Sequence, residues 1–102
     1  MSSAYRGTKR LINEHPNWLP ILETALECAK EHGEFCGNWV RKRMERKLKK
    51  KVWFPGLRML VRYGILKHVE TTRGGRRAYY TMPDQQGVEK ALRESALHKS
   101  KN

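Results

Sequence analysis

Long apolar runs are missing from this sequence. No stretch of the 102 residues approaches the roughly 18 consecutive apolar residues that a membrane-crossing helix requires. Met1 to Leu11 is polar and basic, with no apolar segment of the kind a secretory leader carries, so none is expected. Acid is scarce as well: ten Asp and Glu stand against twenty-two Lys and Arg, and the only aspartate is Asp84. Metal-dependent nucleases need clustered acids, and this chain does not supply them. It also lacks a glycine-rich phosphate loop, paired carboxylates in an apolar setting, and any Ser/His/Asp or Cys/His arrangement. The expectation is therefore that the protein is not an enzyme and has no cofactor.

Cysteine is limited to Cys28 and Cys36, and nothing else suggests an oxidising compartment. A cytoplasmic protein with reduced thiols is expected, associated with the nucleoid if the source is prokaryotic. Cys28, His32 and Cys36 invite a zinc reading. Structural zinc wants four ligands, however, and local spacing places neither His15 nor His68 as the fourth. Cysteine is also commonly buried when it binds nothing, so no metal site is expected.

Positive charge is abundant and concentrated. Arg41 to Arg77 holds fourteen Lys or Arg residues and two acids, Glu45 and Glu70, so that span carries the whole net charge of +12. The remainder of the chain sums to zero. Solubility alone would scatter such charge, whereas a localised basic footprint implies a polyanionic partner.

Residues 1–15 show no clear period and read as a flexible basic arm, with a short helix around Lys9 to Glu14 as the alternative. From Asn17, a good N-cap, Trp18, Leu19, Leu22, Ala25, Leu26 and Ala29 recur at helical spacing, with Pro20 in the first turn and Gly33 as the stop. Glu23, Glu27 and Glu31 lie on the other face. Phe35 suggests a brief strand. Asn38 can cap a helix running to about Leu48, with Trp39, Val40 and Met44 inward. After the basic turn Lys49 to Lys51, a helix is expected over 54–63, with Pro55 near its first position. Its inward residues are Leu57, Leu60 and Val61; Arg58, Met59, Arg62 and Tyr63 face outward. Ile65 to Thr71 and Ala78 to Met82 read as strands joined by a Gly74-Gly75 turn, with one of Tyr79 and Tyr80 inward and one outward. Asp84 caps a last helix from Gln85 to about His98.

The element order and the stretch Pro55-Gly56-Leu57-Arg58-Met59-Leu60-Val61-Arg62-Tyr63-Gly64-Ile65-Leu66 resemble the winged helix-turn-helix family. The resemblance implies a mainly α fold with a small β-hairpin: a domain over 16–83 with a three-helix core and a wing, followed by a C-terminal helix over 84–102. That last helix either packs on its own domain or joins a second chain, with a homodimer favoured. The implied partner is double-stranded DNA, and the implied role is transcriptional regulation. The helix over 54–63 would enter the major groove, where Arg58 and Arg62, four apart, could read guanines. Met59, Tyr63 and Trp53 would lie beside them, although an aromatic next to apolar residues at helical spacing is more often core than stacking platform. Arg41, Lys42, Arg46, Lys47, Lys49, Lys50 and Lys51 suit phosphates. The tip formed by Arg73, Gly74, Gly75, Arg76 and Arg77 would lie on the flanking backbone or in the minor groove. Two readings compete with the regulator: a winged-helix module that binds nucleic acid without sequence preference, for chromatin, replication or RNA work, and a protein–protein adaptor. No small-molecule ligand is legible.

Overall fold

A computed structural model describes residues 3–69 and 78–100. The fold is mainly helical with a small three-stranded antiparallel sheet. The order is α1 (Ser3–Glu14), a 3-10 turn (Pro16–Trp18), α2 (Leu19–His32), β1 (Phe35–Cys36), α3 (Gly37–Leu48), α4 (Arg58–Arg62), β2 (Lys67–Val69), β3 (Tyr79–Thr81) and α5 (Gln85–Ser100). Among the described residues no helix is long and apolar enough to cross a membrane.

The first correction concerns the expected flexible arm, most of which is helix α1. Ala4, Gly7, Thr8 and Leu11 recur at helical spacing and are buried. Thr8 is satisfied within the helix, its hydroxyl donating to the Ala4 carbonyl at 2.7 Å. The side chain at position 7 must be absent: a Cβ there would lie 1.8 Å from the Tyr63 carbonyl oxygen. α1 packs against α5, and α5 also packs against α2. Lys9 pairs with Glu94 at 2.6 Å, and the Tyr5 hydroxyl donates to the same carboxylate. Ala4 and Leu11 from one end of the chain and Val88 from the other belong to a single core with Leu22, Leu57, Leu60 and Ile65. The terminal segments are thus built into the body defined by residues 16–83. Val88 and Ala91, expected on the packing or pairing face of the last helix, are buried within the chain itself.

α2 keeps its expected apolar face and ends at Gly33, whose N–H donates to the Ala29 carbonyl at 2.9 Å. Its start differs from expectation. Asn17 lies in the 3-10 turn and not at the cap, because Pro16 opens a tighter turn before the helix. Asn38 does not cap α3 either. Cys36 is held extended by pairing with Tyr79, so the helix begins at once with Gly37, and the Asn38 amide oxygen instead accepts from Arg41 at 2.7 Å. Asp84 does cap α5, accepting from the Gly87 N–H at 2.9 Å.

The helix expected over 54–63 shortens to the five residues of α4. Gly56 has φ +109, outside any helical value, so helix cannot run back through Pro55 to Phe54. The first strand also starts later than expected. Ile65 and Leu66 are buried and donate their N–H groups to the Leu60 carbonyl, at 2.9 and 3.2 Å, and β2 follows at Lys67.

The sheet order is β1-β3-β2, with Phe35 opposite Tyr80, Cys36 opposite Tyr79 and His68 opposite Tyr80. β3 is therefore central, and this corrects the expectation for its tyrosines. Both Tyr79 and Tyr80 are buried. Trp39 meets the Tyr79 ring at 5.8 Å, His68 meets the Tyr80 ring at 5.5 Å, and both contacts are near perpendicular.

Candidate nucleic-acid interface

The expected contact residues fall into groups that the fold treats differently. α3 turns one side toward the acidic face of α2. Arg43, 18 % exposed, pairs with Glu31 and also approaches Glu27 at 3.7 Å; Lys47 pairs with Glu27 as well. The carboxylate of Glu31 holds the Arg43 guanidinium above its ordinary value, and that guanidinium holds Glu31 below its own. Arg41 is also engaged, with Glu45 at 3.0 Å. Lys47 and Arg41 are both expected on phosphates, yet the fold gives each a carboxylate. Lys42 and Arg46 border an open groove of about 620 Å³ beside Trp39, with Cys28 and His32 along it.

The turn after α3 has a different character. Lys49 closes the helix in the left-handed region, at φ 56, and Lys50 and Lys51 follow it into solvent. Trp53 is 55 % exposed. In α4, Arg58 and Arg62 are exposed while Leu60 is fully buried, as their spacing requires. Among the described residues no carboxylate lies within ion-pair distance of Lys49, Lys50, Lys51, Arg58, Arg62 or Lys67.

Two residues expected beside Arg58 and Arg62 lie elsewhere. Met59 is half-buried against the core. Tyr63 is turned to the end of α1. Its hydroxyl donates to Glu14 at 2.5 Å, Arg10 sits 5.4 Å from its ring centre, and His15 meets the ring edge at 6.4 Å. That hydrogen bond raises the Tyr63 pKa and lowers that of Glu14. An α1 packed at this point is what removes Tyr63 from the outward face.

One residue that the sequence offers only as a rejected zinc ligand enters the site. His68, on β2, joins Arg58, Arg62, Val61, Ala78 and Tyr80 around an open groove of about 340 Å³ between α4 and the sheet. A lone histidine in a short strand carries no local signal for this, because only the sheet register brings it to α4. The wing-tip residues Arg73, Gly74, Gly75, Arg76 and Arg77 lie outside the described residues.

Cys28 and Cys36 are both buried and free, and burial pushes the Cys28 thiol up. His32 is exposed and lies against Trp39, with ring centres 5.2 Å apart. Among the described residues no three His, Cys, Asp or Glu side chains are grouped to hold a metal.

Compared with known proteins, the chain matches no protein-family model, no curated protein and no solved structure.

Proposed function

We propose that this chain is a winged helix-turn-helix protein that binds double-stranded DNA as a transcriptional regulator, facing the duplex with α4, the lysine turn before it and the β2–β3 hairpin. The observation that carries this reading is the uneven pairing of charge. Among the described residues, Lys9, Lys30, Arg43 and Lys47 reach carboxylates on other helices while Arg6, Lys42, Arg46, Lys90 and Arg93 form no ion pair, but from Lys49 to Lys67 none of the six cations, Lys49, Lys50, Lys51, Arg58, Arg62 and Lys67, has one. Cations left unpaired on one stretch are what a polyanion neutralises on binding. The order of elements fits the reading too, with α3, α4 and the antiparallel β2–β3 pair following one another, but the connection from Lys49 to Leu57 is longer than the roughly three or four residues of a helix-turn-helix turn.

A salt titration of duplex binding tests it. About six phosphate contacts give a log–log slope near −5. A slope near zero on every duplex overturns the DNA reading and leaves an adaptor role for the surface.

One observation favours binding without sequence preference. α4 is five residues long, and with Met59 turned inward and Tyr63 turned to α1, its exposed cations are Arg58 and Arg62. Phosphate contacts carry no sequence information, so base reading rests on those two arginines. Selection from a random duplex library decides: an enriched motif supports the regulator, and the absence of one supports the non-specific module.

A further inference from the structure

Among the described residues, Trp53 and Leu48 are the large apolar side chains left exposed, at 55 % and 51 %. The two line the same groove, and a contiguous exposed apolar patch, unlike a single exposed side chain, marks a binding surface. The Trp53 ring is not loose. It meets the buried Trp18 ring nearly at right angles, 84°, with centres 5.6 Å apart. It stands on an open groove of about 480 Å³ that Ile21, Met44 and Val52 help to line, with Lys50 and Lys51 also along it.

Charge limits what can cover this surface. A second copy of the chain, docking by the same patch, would bring two sets of Lys49, Lys50 and Lys51 together, and like charges oppose that. A purely acidic peptide satisfies the lysines but leaves the indole face uncovered. A nucleotide uses both, placing its phosphate on an ammonium and its base on the indole. In the chain, Trp53 stands two residues after Lys51 and five before Arg58, both of the proposed duplex surface.

We propose that Trp53 is a stacking platform for an unpaired base, so that the chain prefers duplex DNA with a single-stranded end to blunt duplex. This rests on the nucleic-acid reading above. A base paired inside a duplex has both faces stacked and none to offer, so the ligand class is single-stranded DNA at a junction or an end.

The test compares three ligands on the full chain: a blunt duplex, the same duplex with a short oligothymidine overhang, and that duplex with an abasic overhang of equal length. The abasic tail supplies phosphates without bases. The thymidine tail is expected to bind roughly ten-fold more tightly than the abasic one, the size of one base–aromatic stack. Trp53→Leu should abolish the difference between the thymidine and abasic tails, and Trp53→Phe should retain part of it. Thermal melting of both variants confirms that they are folded. Equal binding of the two tails by the parent chain overturns the proposal, as does a thymidine preference that survives in Trp53→Leu. Polyglutamate that quenches the share of tryptophan fluorescence lost in Trp53→Leu as strongly as the thymidine tail does assigns the patch to an acidic protein and overturns it too. Failure to bind any of the three ligands overturns the duplex reading itself, so the two failures are distinguishable.

Discussion

The side of the molecule formed by α1, α2, α3 and α5 and the stretch from Lys49 to Lys67 are both rich in bases, yet the first pairs several of them and the second pairs none among the described residues. On the helical side Lys9, Lys30, Arg43 and Lys47 each reach across to a carboxylate on another helix, respectively Glu94, Glu89, Glu31 and Glu27. Charge there ties elements together. Between Lys49 and Lys67 the bases gather on a turn, a short helix and a strand edge, with no carboxylate in reach among the described residues. Holding unpaired cations close together costs self-repulsion and contributes nothing to packing. The same side-chain chemistry is part of the fold in one region and remains available to a partner in the other.

The sharpest way to break this comparison is to ask whether α1 is truly part of the fold. Leu11 is fully buried in the common core. Leu11→Ala should therefore lower unfolding stability by about 2–5 kcal/mol, the range for a large-to-small change in a packed core. Urea denaturation reads this directly. A loss near zero would return residues 1–15 to the status of an arm and detach α1 from α5.

Next in size is the effect on the unpaired side. Arg58→Gln with Arg62→Gln should weaken duplex binding by roughly 1–3 kcal/mol for each arginine–guanine pair removed, and should flatten any sequence preference. Lys50→Gln should weaken all duplexes alike and reduce the salt slope by about 1. Anisotropy titrations at several salt concentrations separate the two behaviours. Uniform losses from both variants would remove the division between base reader and phosphate anchor.

What could be read from the sequence follows from how local each signal is. α2, its stop at Gly33 and the Asp84 cap of α5 announce themselves within a few residues, and the structure has them. α1 gives no such signal. Its buried face is made of Ala4, Gly7, Thr8 and Leu11, so small and polar residues stand where a large apolar stripe would be looked for. Its partner α5 begins more than seventy residues later in the chain. The overlong helix at 54–63 follows from reading Pro55 as a helix start. The positive φ of Gly56 decides otherwise, and a glycine in a sequence does not declare its φ. In the candidate site the basic character of the lysine turn and the exposure of Arg58 and Arg62 follow from spacing. The loss of Tyr63 to Glu14 and the gain of His68 depend on how distant segments pack together.

A smaller effect should appear on the paired side. Arg43→Ala removes a guanidinium that serves Glu31 and Glu27, and the expected loss of stability is about 1 kcal/mol or less, as for other surface-edge pairs. The salt slope of duplex binding should not change. If the slope instead falls by as much as it does in Lys50→Gln, Arg43 contacts the ligand despite its carboxylates, and the two regions are not electrostatically distinct.

The smallest expected effect concerns pH and the link between α1 and α5. Contacts from Lys9 first, and then from the Tyr5 hydroxyl, hold the Glu94 carboxyl below the ordinary carboxylate range. A carboxyl depressed in the folded state binds its proton more readily when unfolded. Its stabilising contribution is therefore complete above the ordinary carboxylate value and is lost as pH falls through the lower folded value. Glu14, Glu31 and Glu89 are depressed in the same direction, so acid should weaken their contacts along with that of Glu94. Glu94→Gln removes one share of that dependence. Melting curves of parent and variant should differ slightly at neutral pH, with the parent more stable, and should converge as pH drops below the carboxylate range. A constant gap from neutral to acid pH would mean that the Glu94 charge adds nothing to the α1–α5 contact, leaving Ala4, Leu11 and Val88 in the shared core to hold the two helices to the same body.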